Sequence, residues 1–409
     1  MILDRHGSRS SFDTGLRTSA LISVDLDSVH LDHATLVQGR AMMSEVIQQR
    51  HRIATGRRAF LGLAASGLAV PLGGMAPAPM RASGLSLQGE LDQPPICRVA
   101  TDTSMIAPGA TPREIKMMWN SNAICTVGVP VAEQLGLFAK RNIKIEKVNV
   151  AATADQILEA MASGKADAGY GMAWIWLKPL EQGFDVKLTA GVHGGCIRLL
   201  TAPGSGITSV VGLKGKTVGT FNMGSPDRIF LSVLASKRGI DPVKDIEWRV
   251  YPPDLLGVAL QKGEIQAFSS GDPIASIIRD RDHLVEVANN LSDEYADRTC
   301  CVLGIRGSLV RDERPVAAAI TAALMEAQEW VAANPEGAAA IFAGLSKAGT
   351  TEQLAAMLRT HTHHHHPVNA ALTKEITLFA QELKQASVLR SSTDPAELAA
   401  RVCVDVLPA

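Results

Sequence analysis

The sequence predicts an α/β fold of two facing lobes, each a parallel-type sheet flanked by helices. Three observations carry that expectation. Short β-branched segments alternate with helical ones of the length that parallel sheets require. The stretch AMASGKADAGYG at 160–171 is echoed by ALQKGEIQAFSSG at 259–271. Each is a helix end, a basic turn with glycine, a strand and a further glycine. Finally, 409 residues at 46% hydrophobic and 20% charged supply core enough for two lobes.

The first 84 residues stand apart. They hold nine Arg and no Lys against six acidic residues, which leaves a body of 31 basic and 35 acidic residues. A mildly acidic body argues against a nucleic-acid partner. Gly56-Arg57-Arg58-Ala59-Phe60-Leu61 matches the Arg-Arg-x-Phe-Leu core of twin-arginine export signals. The apolar run Phe60 to Leu72 and the small residues after it complete a secretory pattern. That run is too short to span a bilayer. Ala76-Pro77-Ala78 is a candidate cleavage site, with Pro79 unfavourable after it, and Met42 or Met43 makes a more usual start. The expected organisation is a leader at 1–84, a flexible lead-in at 85–112, a first lobe at 113–202, a second at 203–298, and a return to the first lobe with C-terminal helices at 299–409. No later stretch reaches 18 apolar residues, so a soluble, exported, monomeric protein is expected.

In the first lobe, Glu114 to Trp119 reads as a strand and Asn120-Ser121-Asn122 as a polar loop. Ala123 to Leu137 reads as a helix, and Ile143 to Val150 alternates as a second strand. Thr153-Ala154-Asp155 caps a helix running to about Ser163. Ala168 to Gly171 is a third strand. Ligands of such sheets sit beyond the strands' carboxyl ends. That rule selects Trp119, Asn120, Asn122, Thr153, Tyr170 and the glycine-flanked His193 as candidate ligand residues.

The second lobe is organised around LKGKTVGTFNMGSPDRIFLSVLASKRGI, Leu213 to Ile240. Thr217 to Phe221 forms a strand, and Ser225 or Asp227 starts a helix with Pro226 in its first turn. A helix start beside a glycine presents unpaired amides and a partial positive charge. Gly224 and Ser225 are therefore candidate contacts for an anion. Asp227 and Asp272 lie nearby and leave open an amine or a neutral polar ligand.

Several stretches together resemble one family. They are Glu133-Gln134-Leu135-Gly136-Leu137-Phe138, Ser163-Gly164-Lys165-Ala166-Asp167, Leu213-Lys214-Gly215-Lys216-Thr217-Val218-Gly219 and Gly239-Ile240-Asp241-Pro242. Tyr251-Pro252-Pro253-Asp254, Lys262-Gly263-Glu264-Ile265-Gln266-Ala267 and Gly271-Asp272-Pro273 follow. In order and spacing the chain resembles the periplasmic substrate-binding proteins of ABC importers, in the nitrate/sulfonate/taurine/bicarbonate and NMT1/THI5-like group. The leader and Cys300-Cys301 look most like the nitrate/bicarbonate branch. The resemblance implies two lobes of the type II fold joined by crossing strands at Cys196 to Ala202 and Cys300 to Arg306, hinge closure on ligand, and docking on a permease. The expected ligand is a small anion such as nitrate, bicarbonate or a sulfonate, its charge held by backbone amides near Gly224-Ser225, with His193, Arg198 and Asn122 as candidate partners and Trp119 and Tyr170 as walls. A pyrimidine or other aromatic ligand is the alternative.

Six cysteines (97, 125, 196, 300, 301 and 403) are compatible with pairing but fix no connectivity. Cys196 and Cys300 or Cys301, on the two crossing strands, are expected neighbours. The run His361-Thr362-His363-His364-His365-His366-Pro367 offers imidazoles for Zn, Ni or Cu. A contiguous run cannot aim every ring at one centre, so an exposed loop with adventitious metal affinity is expected. A metal-binding or sensing protein using His361 and His363 to His366 is the alternative. No cofactor is expected. GxSxG, HExxH and Walker patterns are missing, and the thiamine-precursor enzyme's iron-associated cysteine run is reduced at best to His193-Gly194-Gly195-Cys196. The expectation is a binding protein, not an enzyme.

Overall fold

The computed structural model describes residues 111–150, 154–361 and 365–407. The leader, Cys97, Thr153, His363 and His364 lie outside the described residues. In the first sheet, β1 (Arg113–Trp119), β2 (Ile143–Asn149), β3 (Ala168–Met172) and β4 (Val186–His193) are joined by β10 (Cys301–Arg306). The order is β2-β1-β3-β10-β4. The second sheet holds β5 (Ile197–Thr201), β6 (Lys216–Thr220), β7 (Ile246–Val250), β8 (Ala267–Gly271) and β9 (Val285–Asn289), in the order β7-β6-β8-β5-β9. The two orders are the same pattern. In each, the fourth strand alone runs antiparallel to its neighbours: β10 to β3 and β4, and β5 to β8 and β9.

That pattern corrects two expectations. The sheets are mixed, because the strand a lobe receives directly from the other lobe enters from the hinge and runs against the rest. The predicted crossing strands are also misplaced. Cys196 to Ala202 contributes β5, which lies wholly in the second sheet, and Cys300 to Arg306 contributes β10, wholly in the first. The true crossings are the turn at Gly194 to Cys196 and the longer segment Asn290 to Cys300, so the first lobe ends near 193 and not at 202. The expected helix Ala123 to Leu137 is broken into a 3-10 turn, Ile124–Thr126, and a helix, Gly128–Gln134. The C-terminal helices expected over 299–409 include Arg314–Ala333. Among the described residues no helix is long and apolar enough to cross a membrane.

The two crossings are tied to each other by one side chain. Asn290 accepts from the Cys196 and Ile197 amides at 2.8 and 2.7 Å, and its Nδ2 donates to the Cys300 thiol at 3.3 Å. Beside them, an aromatic cluster packs helices of both lobes together. Trp174, on Ala173–Glu181, lies 5.4 Å from Phe230, on Pro226–Lys237, and 4.8 Å from Phe379, on Asn369–Gln385. Tyr295 of the second crossing stands edge-on to Phe230 at 5.3 Å. Burying such aromatics is the largest apolar gain available here. Glu382, buried in this cluster, accepts from Lys237 (2.9 Å), Arg298 (2.7 Å), Tyr295 (3.2 Å) and Trp174 (3.3 Å). A buried carboxylate so surrounded has its desolvation offset by several donors.

Gly195 is required by this arrangement. A Cβ there would lie 2.0 Å from the Asn290 carbonyl oxygen, which is backbone and cannot swing aside. Gly195→Ala should therefore cost about 1–3 kcal/mol of stability. The cost is measured as a lowered urea midpoint, and an unchanged midpoint would show that the crossings are not held this tightly.

Candidate functional site at the hinge

Strand ends from both sheets bring titratable side chains to the crossings. β8 ends at Gly271, and the next residue, Asp272, is fully enclosed. A charge there needs compensation, because burial disfavours the ionised form. It has it: Arg198, on β5, donates from Nε at 3.2 Å and Nη2 at 3.1 Å, and Ser276 Oγ donates at 2.7 Å. His361 Nε2 lies 3.0 Å from Asp272 Oδ2. Burial alone would raise the Asp272 carboxyl, but His361 and Arg198 win and hold it well below the usual range. Arg198 also donates to Glu286 at 2.7 Å. Its guanidinium is committed to two carboxylates, so the expected role of Arg198 as a partner for an anion is not what this arrangement offers.

His361 ends the helix Thr351–Thr360, which a Thr350/Gln353 capping box starts. Its side chain is wholly buried. The His193 ring, on the last residue of β4, lies nearly parallel to it, 17° apart at a centroid distance of 6.3 Å. The chain returns inward at His365, which pairs with Glu375, and at Pro367, whose carbonyl accepts from Gly191 at 2.8 Å. Of the expected exposed histidine loop, His361 is buried and His365 and His366 are half-buried. The described part of the run, His361 and His365 to Pro367, packs over the end of β4 because Asp272 and Glu375 bind its imidazoles and the glycine at 191 leaves room for Pro367.

The loop favoured by sequence is differently built. The Gly224 amide donates to Asn222 Oδ1 at 2.7 Å and the Ser225 amide to the Asn222 carbonyl at 3.1 Å. Ser225 occupies the N-cap position, but its hydroxyl lies 2.8 Å from Thr220 Oγ1 and does not cap. Asp227 fills the first turn, buried, with Thr220 donating to it at 3.1 Å. The helix thus carries its own carboxylate where an anion was expected. Burial pushes the Asp227 carboxyl up to about 7, against the hydroxyls of Ser225 and Thr220, which pull it down.

The first-lobe candidates divide. Trp119 and Tyr170 are core residues, Trp119 with Lys147 Nζ 5.8 Å from its ring. Asn120 binds the Asn122 amide at 2.9 Å, and Asn122 itself is exposed.

What the sequence reading missed is a nest of thiols. Cys125, in the Ile124–Thr126 turn, meets Cys301, the first residue of β10, and His193, which pairs with Cys301 across β10 and β4. One ligand atom from each of these three lies within 4.8 Å of the others. Cys196 joins through Cys125, and Cys300 through Cys196 and Cys301; all are free thiols. Cys196 and Cys300 are neighbours as expected. Hydrogen bonds from the Cys196 and Cys301 thiols pull Cys125 down to about 5, while Cys196 and Cys301 are pushed well up. Burial pushes the His193 imidazole's pKa down.

The model of the NMT1-like family matches residues 109–346. Among solved structures, the alkanesulfonate-binding protein SsuA from Xanthomonas axonopodis pv. citri, bound to MOPS, shares 20% identity over 72% of this chain and 99% of its own, with a TM-score of 0.60. The periplasmic nitrate-binding protein NrtA from Synechocystis PCC 6803 shares 16% over 71% and 86%, at 0.59. A ligand-binding component of an ABC-type import system from Staphylococcus aureus, with zinc bound, shares 16% over 71% and 99%, at 0.57. At these identities the likeness is one of fold. A comparison with curated proteins finds no match.

Asp227 sets a pH dependence. Its folded carboxyl titrates near 7 against an ordinary 3.8, so the folded chain holds that proton more tightly than the unfolded one. The stability this contributes is full below the unfolded value and is lost as pH rises through about 7. Asp227→Asn should therefore gain on the parent protein between pH 4 and pH 8, by an amount on the order of a few kcal/mol. Unfolding curves across that range check it, and a pH-independent difference would contradict it.

Proposed function

The chain belongs to the NMT1-like family, and we propose that it is the solute-binding component of an ABC importer, working outside the cytoplasmic membrane. The observation that carries this reading is the architecture of the hinge. Two sheets of the same order each receive one strand across it, and groups from both lobes meet there: Asp272 from the second, His193 and His361 from the first. Such a construction lets two rigid lobes rotate about two short crossings and enclose a solute. We assign it no reaction. His193, Asp227 and Asp272 contact structural partners and form no nucleophile–base pair.

Export by the twin-arginine route, a periplasmic location and delivery of the solute to membrane permease subunits complete the proposal. The twin-arginine leader supports the first two, the fold shared with periplasmic binding proteins also supports the second, and the fold shared with a component of an ABC-type import system supports the last.

For the solute we propose a small anion of the nitrate, sulfonate or bicarbonate class, on the ground that alkanesulfonate- and nitrate-binding proteins share the fold. Gly224 and Ser225 would not hold it while Asn222 occupies their amides, which moves the expected contacts to the Asn120 to Asn122 loop, whose Asn122 is exposed. A ligand that binds only the folded chain raises its stability by about 2.7 kcal/mol at a hundred times its Kd. A thermal-shift series with nitrate, bicarbonate, MOPS, short alkanesulfonates and pyrimidines should show a rise with one of the anions. No rise with any anion would remove that class, and a rise with a pyrimidine alone would replace it.

A further inference from the structure

We propose that Cys125, His193 and Cys301 bind a thiophilic d10 metal ion, zinc(II) in the first place, on the face of the first sheet beside the hinge. Two thiol sulfurs and an imidazole nitrogen lie within 4.8 Å of one another. In a tetrahedral zinc site with Zn–S bonds of about 2.3 Å, neighbouring sulfurs stand roughly 3.8 Å apart. The three atoms therefore need to close in only slightly. Their placement is set by the fold: His193 and Cys301 are cross-strand partners on β4 and β10, and the Ile124–Thr126 turn lays Cys125 over them. His193 Nδ1 bonds to the Gly194 carbonyl, which fixes the tautomer whose Nε2 carries the lone pair, the usual outer support of a ligating histidine.

Charge selects the ion. The site is nearly closed to water, and a buried net charge is costly. Zinc(II) with two thiolates and a neutral imidazole is neutral, whereas copper(I) with the same set keeps one negative charge. Soft thiolates exclude magnesium and calcium as competitors. Cys196 is in thiol contact with Cys125 and sits on the first crossing, so the metal site borders the hinge, and a neutral fourth ligand such as water keeps it uncharged. The set takes no ligand from the histidine run, though His361 lies beside His193, and the proposal does not depend on which solute the protein carries.

The test uses the full chain, reduced and freed of metal under anaerobic conditions, and cobalt(II) as a spectroscopic stand-in for zinc. One equivalent of cobalt(II) should produce intense thiolate-to-cobalt charge-transfer bands in the near ultraviolet with tetrahedral visible bands, and one equivalent of zinc(II) should bleach them. The bands should persist when His363, His364, His365 and His366 are all replaced by Ser, and disappear in Cys125→Ser and Cys301→Ser. Because the thiolate bands are expected in the parent protein alone, failure of a variant to fold does not blunt the test. Metal bound without thiolate bands, or bands lost with the four-histidine replacement and kept in Cys125→Ser, would overturn the proposal. So would copper(I) displacing cobalt where zinc(II) does not.

Discussion

A single enclosed carboxylate orders the hinge. Asp272 follows β8 in the second lobe and has no water to solvate it, so its charge has to be met by protein groups. Arg198 and Ser276 supply that from the same lobe, and His361 supplies it from the first. The rest of the region follows from this requirement. Arg198 is drawn away from any incoming anion. The end of the Thr351–Thr360 helix is pulled into the junction, and the described residues His365 to Pro367 pack over the end of β4. His361 then lies against His193, and His193 is in turn held beside Cys125 and Cys301. Removing one member of such a buried pair typically costs about 3–5 kcal/mol, because it strands the other.

The strands were readable from sequence because alternation and glycine turns are local. Ile143 to Val150 and Thr217 to Phe221 show this, each matching its strand to within a residue. The echo between 160–171 and 259–271 corresponds to β3 and β8, which hold the same place in the two sheet orders. The position of the crossings was not readable. Whether β5 pairs with the first sheet or the second depends on partners at 267–271 and 285–289, and β5 itself is apolar enough for either. The helix predicted over Ala123 to Leu137 failed locally: Thr126 Oγ1 bonds back to the Asn120 and Ala123 carbonyls and tightens the first turn.

The site was legible only in part. His193 stood out because glycine follows it, and it does lie at the junction, but buried. Gly224 and Ser225 stood out as a helix start, and the side chain of Asn222 and the carboxylate of Asp227 had already met those needs. Cys196 beside Cys300 was expected, but the place of Cys125 was not readable, since the Ile124–Thr126 turn and β10 bring it to Cys301 and spacing does not. The burial of His361 and the pairing of His365 were not readable for the same reason: their partners, Asp272 and Glu375, carry no local mark.

The lobes are coupled through the enclosed Asp272, with His361 as the partner from the other lobe. A double-mutant cycle on unfolding free energy, with Asp272→Asn, His361→Asn and the pair, measures that coupling directly. Residues in one buried network typically couple by 0.5–3 kcal/mol, so a coupling of about 1 kcal/mol or more is predicted. Additivity within about 0.3–0.5 kcal/mol would show that the two residues do not act on each other and would contradict the account.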